Sequence, residues 1–221
     1  MNSILSLDAI RFLDSISPEL DPILTEMEAI AKNRNFPTVG IQAGRVIQFL
    51  TRMSGAKKAF EFGSGFGYSA YWIAKGLPSD GSIVLTDRDP NELNLARDFL
   101  NRAGVSEKAI FKVGEAKEIF DNLSDTFDLI LFDHHNSDYL GDFHSVKKQL
   151  SPGGIIIADN AMSGMTVHFN DLVSFLDSKP NVSLNENTRG TANYLLELKN
   201  DPSFETIVIP VGDGLVVSLS I

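Results

Sequence analysis

Cysteine is absent from this 221-residue chain. That excludes disulfides, thiolate nucleophiles and Cys-ligated zinc, so any bound metal must take oxygen or nitrogen ligands. Positive charge is scarce: 19 Lys and Arg stand against 29 Asp and Glu, a formal charge of −10. Proteins engage a nucleic-acid backbone through Lys and Arg that displace its counterions, so this excess of acid argues against a DNA or RNA partner. Nor is there an apolar run long enough to span a bilayer. Met1 to Ile16 is interrupted by Asp8, Arg11 and Asp14, where a signal peptide needs an unbroken apolar stretch. The expectation is a cytoplasmic protein with no membrane partner. Polar low-complexity tracts are also missing, and 43% hydrophobic residues suffice for a sizeable core in one domain, residues 1–221.

What is present is a rhythm. The first 55 or so residues read as helices of period near 3.6, Leu5 to Ile16, Pro18 to Lys32 and Val39 to Met53, broken around Pro18 and Phe36-Pro37. Short apolar runs then alternate with helical segments, the pattern of a mostly parallel sheet with crossover helices. The strand candidates are Ala59–Phe62, Ser82–Asp87, Ala109–Val113, Phe127–Phe132 and Ile155–Asp159. Pro90 to Ala103 is the clearest helix, with Asp89 as N-cap, Pro90 at the first helical position and Gly104 as the stop. At the tail, Glu205–Val211 and Leu215–Ser220 flank Gly212-Asp213-Gly214, a turn suited to a hairpin. The fold class is therefore α/β, a Rossmann-like, doubly wound, mostly parallel seven-stranded sheet with a C-terminal antiparallel hairpin and extra N-terminal helices before residue 56. Ser178 to Gly190 reads as a mobile segment.

Strand Ala59–Phe62 runs into Gly63-Ser64-Gly65-Phe66-Gly67-Tyr68-Ser69, a strand–glycine-loop–helix unit that lets backbone approach a ligand. Asp87 follows Gly67 by 20 positions and ends the second strand, where a carboxylate can accept from the ribose hydroxyls of an adenosine cofactor. The dinucleotide fingerprint needs glycine at position 68, which here is Tyr68; that tilts away from NAD. A structural turn and a solvated strand end are the plain alternatives. Asp133 closes the fourth strand and Asp159-Asn160 the fifth, so two carboxylates and an amide oxygen project from strand ends, where open α/β sheets bind ligands. These hard ligands suit a divalent cation, Mg2+ first, with Mn2+ or Ca2+ as alternatives. Helix caps or turn formers are the competing reading.

An ordered set of segments resembles the cation-dependent O-methyltransferases, the family of the catechol and caffeoyl-CoA enzymes. It runs through Ala56-Lys57-Lys58, Phe60-Glu61-Phe62-Gly63, Gly67-Tyr68-Ser69-Ala70, Asn94-Leu95-Ala96-Arg97 and Ala103-Gly104-Val105. It continues through Phe132-Asp133-His134, Leu150-Ser151-Pro152-Gly153-Gly154, Ala158-Asp159-Asn160, Asp201-Pro202 and Val211-Gly212-Asp213-Gly214-Leu215. The resemblance implies a class I S-adenosylmethionine-dependent methyltransferase domain, a small-molecule acceptor with vicinal oxygens and a homodimer. It implies Asp133, Asp159 and Asn160 as metal ligands. Around the cofactor it places Glu61, Gly63, Gly65, Gly67, Tyr68, Ser69, Asp87, Asp133 and His134, with Val39 and Gly40 at the methionine end and Gly114, Glu115 and Ala116 near the adenine.

One departure bears on mechanism. Three residues after the metal Asp the family usually carries a Lys assigned as base, and this chain has Asn136, whose amide cannot accept a proton. The catalytic candidates are then Asp133, His135 as a second base, and Asn136 at the base position. A cation that lowers the pKa of an acceptor hydroxyl makes the lysine dispensable. Packing or solvent exposure is the plainer reading of His135, and His168 reads as a surface residue. His144 and Trp72 read as structural. The mouth for the acceptor is expected from the N-terminal helices, Met162 to Met165 and Ser178 to Gly190. A nicotinamide-dependent oxidoreductase, and a cofactor-binding protein that has lost transfer activity, remain the alternatives.

Overall fold

The computed structural model describes residues 5–162, 169–177 and 184–221. Helices α1 (Leu7–Ile16), α2 (Pro22–Arg34) and α3 (Gly40–Met53) precede a sheet of seven described strands. The strands are β1 (Lys58–Phe62), β2 (Ser82–Asp87), β3 (Ala109–Val113), β4 (Phe127–Phe132), β5 (Leu150–Ala158), β6 (Phe204–Ile209) and β7 (Leu215–Ser220). Their order is β3-β2-β1-β4-β5-β7-β6, parallel from β3 to β5, with β7 antiparallel to both β5 and β6. The fold is the α/β sheet with an antiparallel tail that the hydrophobic rhythm implies.

Crossover helices cover both faces. α4 (Tyr68–Gly76) and α5 (Pro90–Arg102) pack with α2 and α3 against one apolar cluster that includes Leu24, Met27, Ile47, Trp72, Leu85 and Leu131. Trp72 is structural, as its pattern suggests: a side chain at Gly44 would collide with its indole. The opposite face is aromatic, with Phe60, Phe62, Phe120, Phe127, Phe132 and Phe143 under α6 (Ala116–Asp121), α7 (Tyr139–Val146) and α9 (Glu186–Asn200). α8 (Phe169–Leu176) packs beside α9 through Leu172 and Ala192.

Capping follows the sequence signals. Asp89 accepts from the Asn91 N–H at 2.8 Å, and Gly104 takes a left-handed φ of 68° beyond the end of α5. Two expectations need correction. β5 begins five residues earlier than the apolar run, at Leu150, because Ser151 to Gly154 extend it after an irregularity opposite Phe127 and Leu129. Of the segment expected to be mobile, residues 178–183 lie outside the described residues, whereas Glu186 to Gly190 open α9, capped by Asn185 accepting from Thr188 N–H at 2.8 Å. Thr188 and Gly190 there are buried, which fixes the helix end.

Candidate active site

Parallel register brings the carboxyl ends of β1, β4 and β5 level, since Phe62 pairs with Phe132 and Phe132 with Ala158. The ladder runs one step further: Asp133 N–H donates to Phe62 O at 3.0 Å and Asp159 N–H to Phe132 O at 3.0 Å. Adjacent strands lie about 4.8 Å apart, so the two aspartates leave the sheet side by side. Asn160 follows in the left-handed conformation, φ 63°, which Asn tolerates better than most residues and which turns the chain out of β5.

Asp159 is 2% exposed and one of its carboxylate oxygens has no hydrogen bond. Burial, with the charges of Asp159 and Glu61 added, pushes the Asp133 carboxyl well above its ordinary range, and the Ser69 hydroxyl pulls it back only in part. Burial likewise raises Asp159, opposed by the Asn160 N–H and joined by the charge of Asp213. Glu61, from β1, is wholly buried with neither oxygen in a hydrogen bond of ordinary geometry. Burial pushes it up to about 7, moderated by the nearby Ser64 and Ser69 hydroxyls and reinforced by Asp87. Among the described residues, none of these three acids has a Lys, Arg or His ion pair. Buried carboxylates without a counter-charge must either hold protons or face cations.

The glycine loop beside them is tied down at each step. Asp87 Oδ2 accepts from Gly65 N–H at 2.9 Å and its Oδ1 from Asp89 N–H at 2.8 Å. Ser64 N–H donates to Thr86 O at 2.8 Å, and Thr86 N–H returns a bond to Ser64 Oγ at 3.0 Å. Gly63, Gly65 and Gly67 all have positive φ, which only glycine adopts without strain. Packing adds a second reason: a Cβ at Gly65 would lie 2.6 Å from the Phe36 ring, and one at Gly67 2.8 Å from Ala96. Their side-chain directions therefore point into the protein, and only the loop backbone is offered to a ligand. Gly114 joins the same corner, its N–H donating to Asp87 O at 2.9 Å, with Glu115 paired to Arg88 at 2.6 Å and Ala116 opening α6.

Other expected residues fall in different surroundings. The Tyr68 hydroxyl donates to Glu28 of α2, which makes its side chain a strut between α4 and α2. The His134 ring stacks on Phe62 and holds Asp142 at 2.7 Å through Nε2, with Nδ1 buried and unpartnered. His135 is exposed at the start of the short turn that carries Asn136. Asn136 is buried, and its amide donates to Thr191 Oγ1 at 2.8 Å and weakly to Asn160 O at 3.4 Å. A Cβ on Gly190 would meet Asn136 O at 2.2 Å, so α9 presses directly on this turn. Asn136 is thus held between α9 and the Asn160 turn, with its amide engaged by Thr191. His144, expected to be structural, is instead exposed at the surface beside Glu197 at 3.3 Å, while His168 and residues 163–165 lie outside the described residues.

Sequence reasoning passed over Asp213 and Glu28. The Gly212-Asp213-Gly214 motif signals a turn, and only the fold shows that the turn carries a carboxylate close enough to raise Asp159. Asp213 and Glu28 both line a cavity of about 240 Å3, together with Val39, Gly40 and α1 residues. A wider surface groove of about 600 Å3, between α5 and β3 around Arg97 and Phe111, holds none of the acids described above.

Comparison with known proteins gives a consistent result. Residues 14–221 match the model of an O-methyltransferase family. The chain is 30% identical over 210 residues to caffeoyl-CoA O-methyltransferase 1 of Eucalyptus globulus, covering 90% of this chain and 81% of that protein. It is 28% identical over 155 residues to the catechol O-methyltransferase of Niastella koreensis, covering 67% of this chain and 70% of the other. Among solved structures, the O-methyltransferase TomG from Streptomyces achromogenes in complex with SAM superposes with a TM-score of 0.81 at 21% identity, covering 96% of each chain.

Proposed function

Because the chain belongs to the O-methyltransferase family, and so is an S-adenosylmethionine-dependent methyltransferase of the caffeoyl-CoA and catechol type, we propose that it methylates one of two vicinal oxygens on a small catechol-like or caffeoyl-like molecule with the aid of a divalent cation. The observation that carries this reading is the cluster of Glu61, Asp133 and Asp159, carboxylates without a counter-charge at the ends of three adjacent strands, of which Glu61 and Asp159 are fully buried. Two cations fit that trio chemically: a metal ion at Asp133, Asp159 and Asn160, and the positively charged cofactor beside Glu61 and the loop. Family membership also leaves the nicotinamide reading without support.

The donor set is all oxygen, which suits Mg2+, with Mn2+ and Ca2+ as alternatives. When bound, the cation supplies Lewis acidity that lowers the pKa of an acceptor hydroxyl at neutral pH. The protein does the rest. The loop 63–67 backbone and Asp87 hold the adenosine side in place, and Gly114 to Ala116 stand at the same corner. Ser69 reaches both Asp133 and Glu61 and orients them. The Asn136–Thr191 bond keeps the 133–138 turn against α9, so that Asp133 and Asp159 stay level. S-adenosylmethionine would supply the methyl group and leave as S-adenosylhomocysteine, the proton of the acceptor hydroxyl passing to solvent, and positioning by these residues would supply much of the rate. His135 is exposed in the ligand-free protein, and this reading assigns it no base role. A homodimer and a cytoplasmic location belong to the same reading. Exposed Phe12, Ile16, Phe49 and Met53 offer apolar surface for the former, and for the latter no described helix is long and apolar enough to cross a membrane.

The test is methyl transfer from S-adenosylmethionine to catechol and caffeoyl acceptors with Mg2+, with a chelator, and in Asp159→Ala. The expected result is turnover that falls about a thousandfold under both latter conditions, matching several kcal/mol of lost charge stabilisation. Full activity with the metal chelated would remove the cation from the mechanism.

A further inference from the structure

Tyr139, the first residue of α7, is 1% exposed, and its hydroxyl reaches the backbone of the two strands that carry Asp133 and Asp159. Its ring is fixed by those of Phe132, His134 and Tyr194, with centres 5.5, 5.3 and 5.8 Å away. The hydroxyl donates to Asp159 O at 3.1 Å, with Phe132 O further off at 3.4 Å. Both are carbonyl oxygens and can only accept, so the single hydroxyl proton is used and the lone pairs stay open. The side chain that meets them is Asn160. A hydroxyl oxygen in that state takes an N–H, which turns the Asn160 NH2 toward Tyr139 and the amide oxygen away from it. The backbone there has no comparable freedom. Asn160 is held at φ 63°, and the Asn136 amide approaches its carbonyl oxygen at 3.4 Å. Beyond it, Ala161 N–H donates to Gly214 O at 3.1 Å and Met162 N–H to Asp213 O at 2.8 Å. The one choice left open by the main chain is which end of the amide faces away from Tyr139.

Resting on the reading that a divalent cation sits at Asp133, Asp159 and Asn160, we infer that Tyr139 is a positioning residue for that ion: its hydroxyl orients the Asn160 amide so that oxygen, and not NH2, is offered to the cation. Tyr139 acts through Asn160 and does not itself touch the ion. Hard cations take oxygen, whereas an NH2 presented in its place is a donor with partial positive charge. Packing does not call for the hydroxyl, since a phenylalanine would fill the same space among Phe132, Phe143 and Tyr194. Partners of this kind, which hold a metal ligand in one orientation, are worth about 10–100-fold in metal affinity. A carboxylate at position 160 would need no such help, because its two oxygens are equivalent. Dependence on Tyr139 is therefore a property of the amide, and that separates orientation from a purely structural bond to Asp159 O.

The experiment measures Mn2+ affinity by electron paramagnetic resonance, and the hydration of the bound ion by water-proton relaxation, in the whole chain saturated with S-adenosylhomocysteine. Wild type, Tyr139→Phe, Asn160→Asp and the double variant are compared. Tyr139→Phe keeps the ring and is expected to bind Mn2+ about tenfold more weakly, with added water on the ion and S-adenosylhomocysteine affinity within about twofold of wild type. In the Asn160→Asp background the same substitution should cost less than about threefold, the two changes being non-additive. A Tyr139→Phe variant that melts lower but binds and hydrates Mn2+ as wild type does would overturn the inference and leave the hydroxyl a structural donor to Asp159 O. So would an equal loss in both backgrounds, or a loss of S-adenosylhomocysteine together with the ion. Absence of any Mn2+ site in wild type would overturn the assignment of the cation itself, and the role of Tyr139 with it.

Discussion

Asp87 and Glu61 stand near the carboxyl ends of neighbouring strands, and their surroundings are opposite. Both Asp87 oxygens accept backbone N–H groups, from Gly65 and Asp89. Both Glu61 oxygens lack partners in a site closed to water. The contrast extends to their halves of the site. On the β2 side, Ser64, Thr86 and Gly114 complete a network that holds the loop. On the β4 and β5 side, acids crowd together and raise one another's pKa values. One half is satisfied within the fold; the other stores unfavourable charge that, on the proposed reading, cationic ligands would relieve. Functional sites are where such local conflict is expected in an otherwise consistent fold.

The largest test of the contrast is Glu61→Gln. The Glu61 carboxyl is pushed from 4.5 up to about 7 by burial. Below the lower value both folded and unfolded chains are protonated. Between the two the unfolded chain ionises first, so stability falls as pH rises, by about 3 kcal/mol in total. Thermal unfolding of the cofactor-free protein from pH 4 to 8 should show Glu61→Gln losing that part of the slope and melting higher than wild type at pH 8. An unchanged slope would mean that Glu61 is not a store of unfavourable charge.

A smaller effect of opposite sign is expected for Asp87→Ala, which leaves the Gly65 N–H without its partner. Melting should fall by an equivalent of about 1–2 kcal/mol at pH 5, where Glu61 is protonated in the folded chain, and S-adenosylhomocysteine should bind more weakly. A melting point equal to that of wild type would erase the difference between the halves. The smallest effect belongs to His135→Ala. Its kcat/KM should fall by less than about tenfold, whereas removing a general base costs about 10²–10⁴-fold. A loss in that range would restore the histidine as base.

Much of this was legible in the chain itself. The bounds of β2 and β4 follow directly from apolar runs, because strands buried on both faces need continuous apolar residues, whereas β3, at the sheet edge and largely exposed, was legible only as a short apolar run. Asp133, Asp159 and the loop glycines could be placed because each lies at a strand end, where topology fixes its neighbours. Partners separated by long stretches of chain could not. The bond from Asn136 to Thr191 spans 55 residues, and that from Tyr68 to Glu28 spans 40. α9 was hidden for the same reason: Thr188, Gly190 and Thr191 are polar or small, and they are buried only because the 133–138 turn packs on them. Asp213 was read as part of a turn, since nothing local tells that a hairpin corner faces Asp159.

The most direct measurement is Mn2+ binding followed by electron paramagnetic resonance, with S-adenosylhomocysteine present, in wild type and Asp159→Ala. One bound ion per wild-type chain, displaced by Mg2+ and lost in the variant, is the expected result. No site in wild type, or an undiminished one in Asp159→Ala, would contradict the assignment of these carboxylates to a cation.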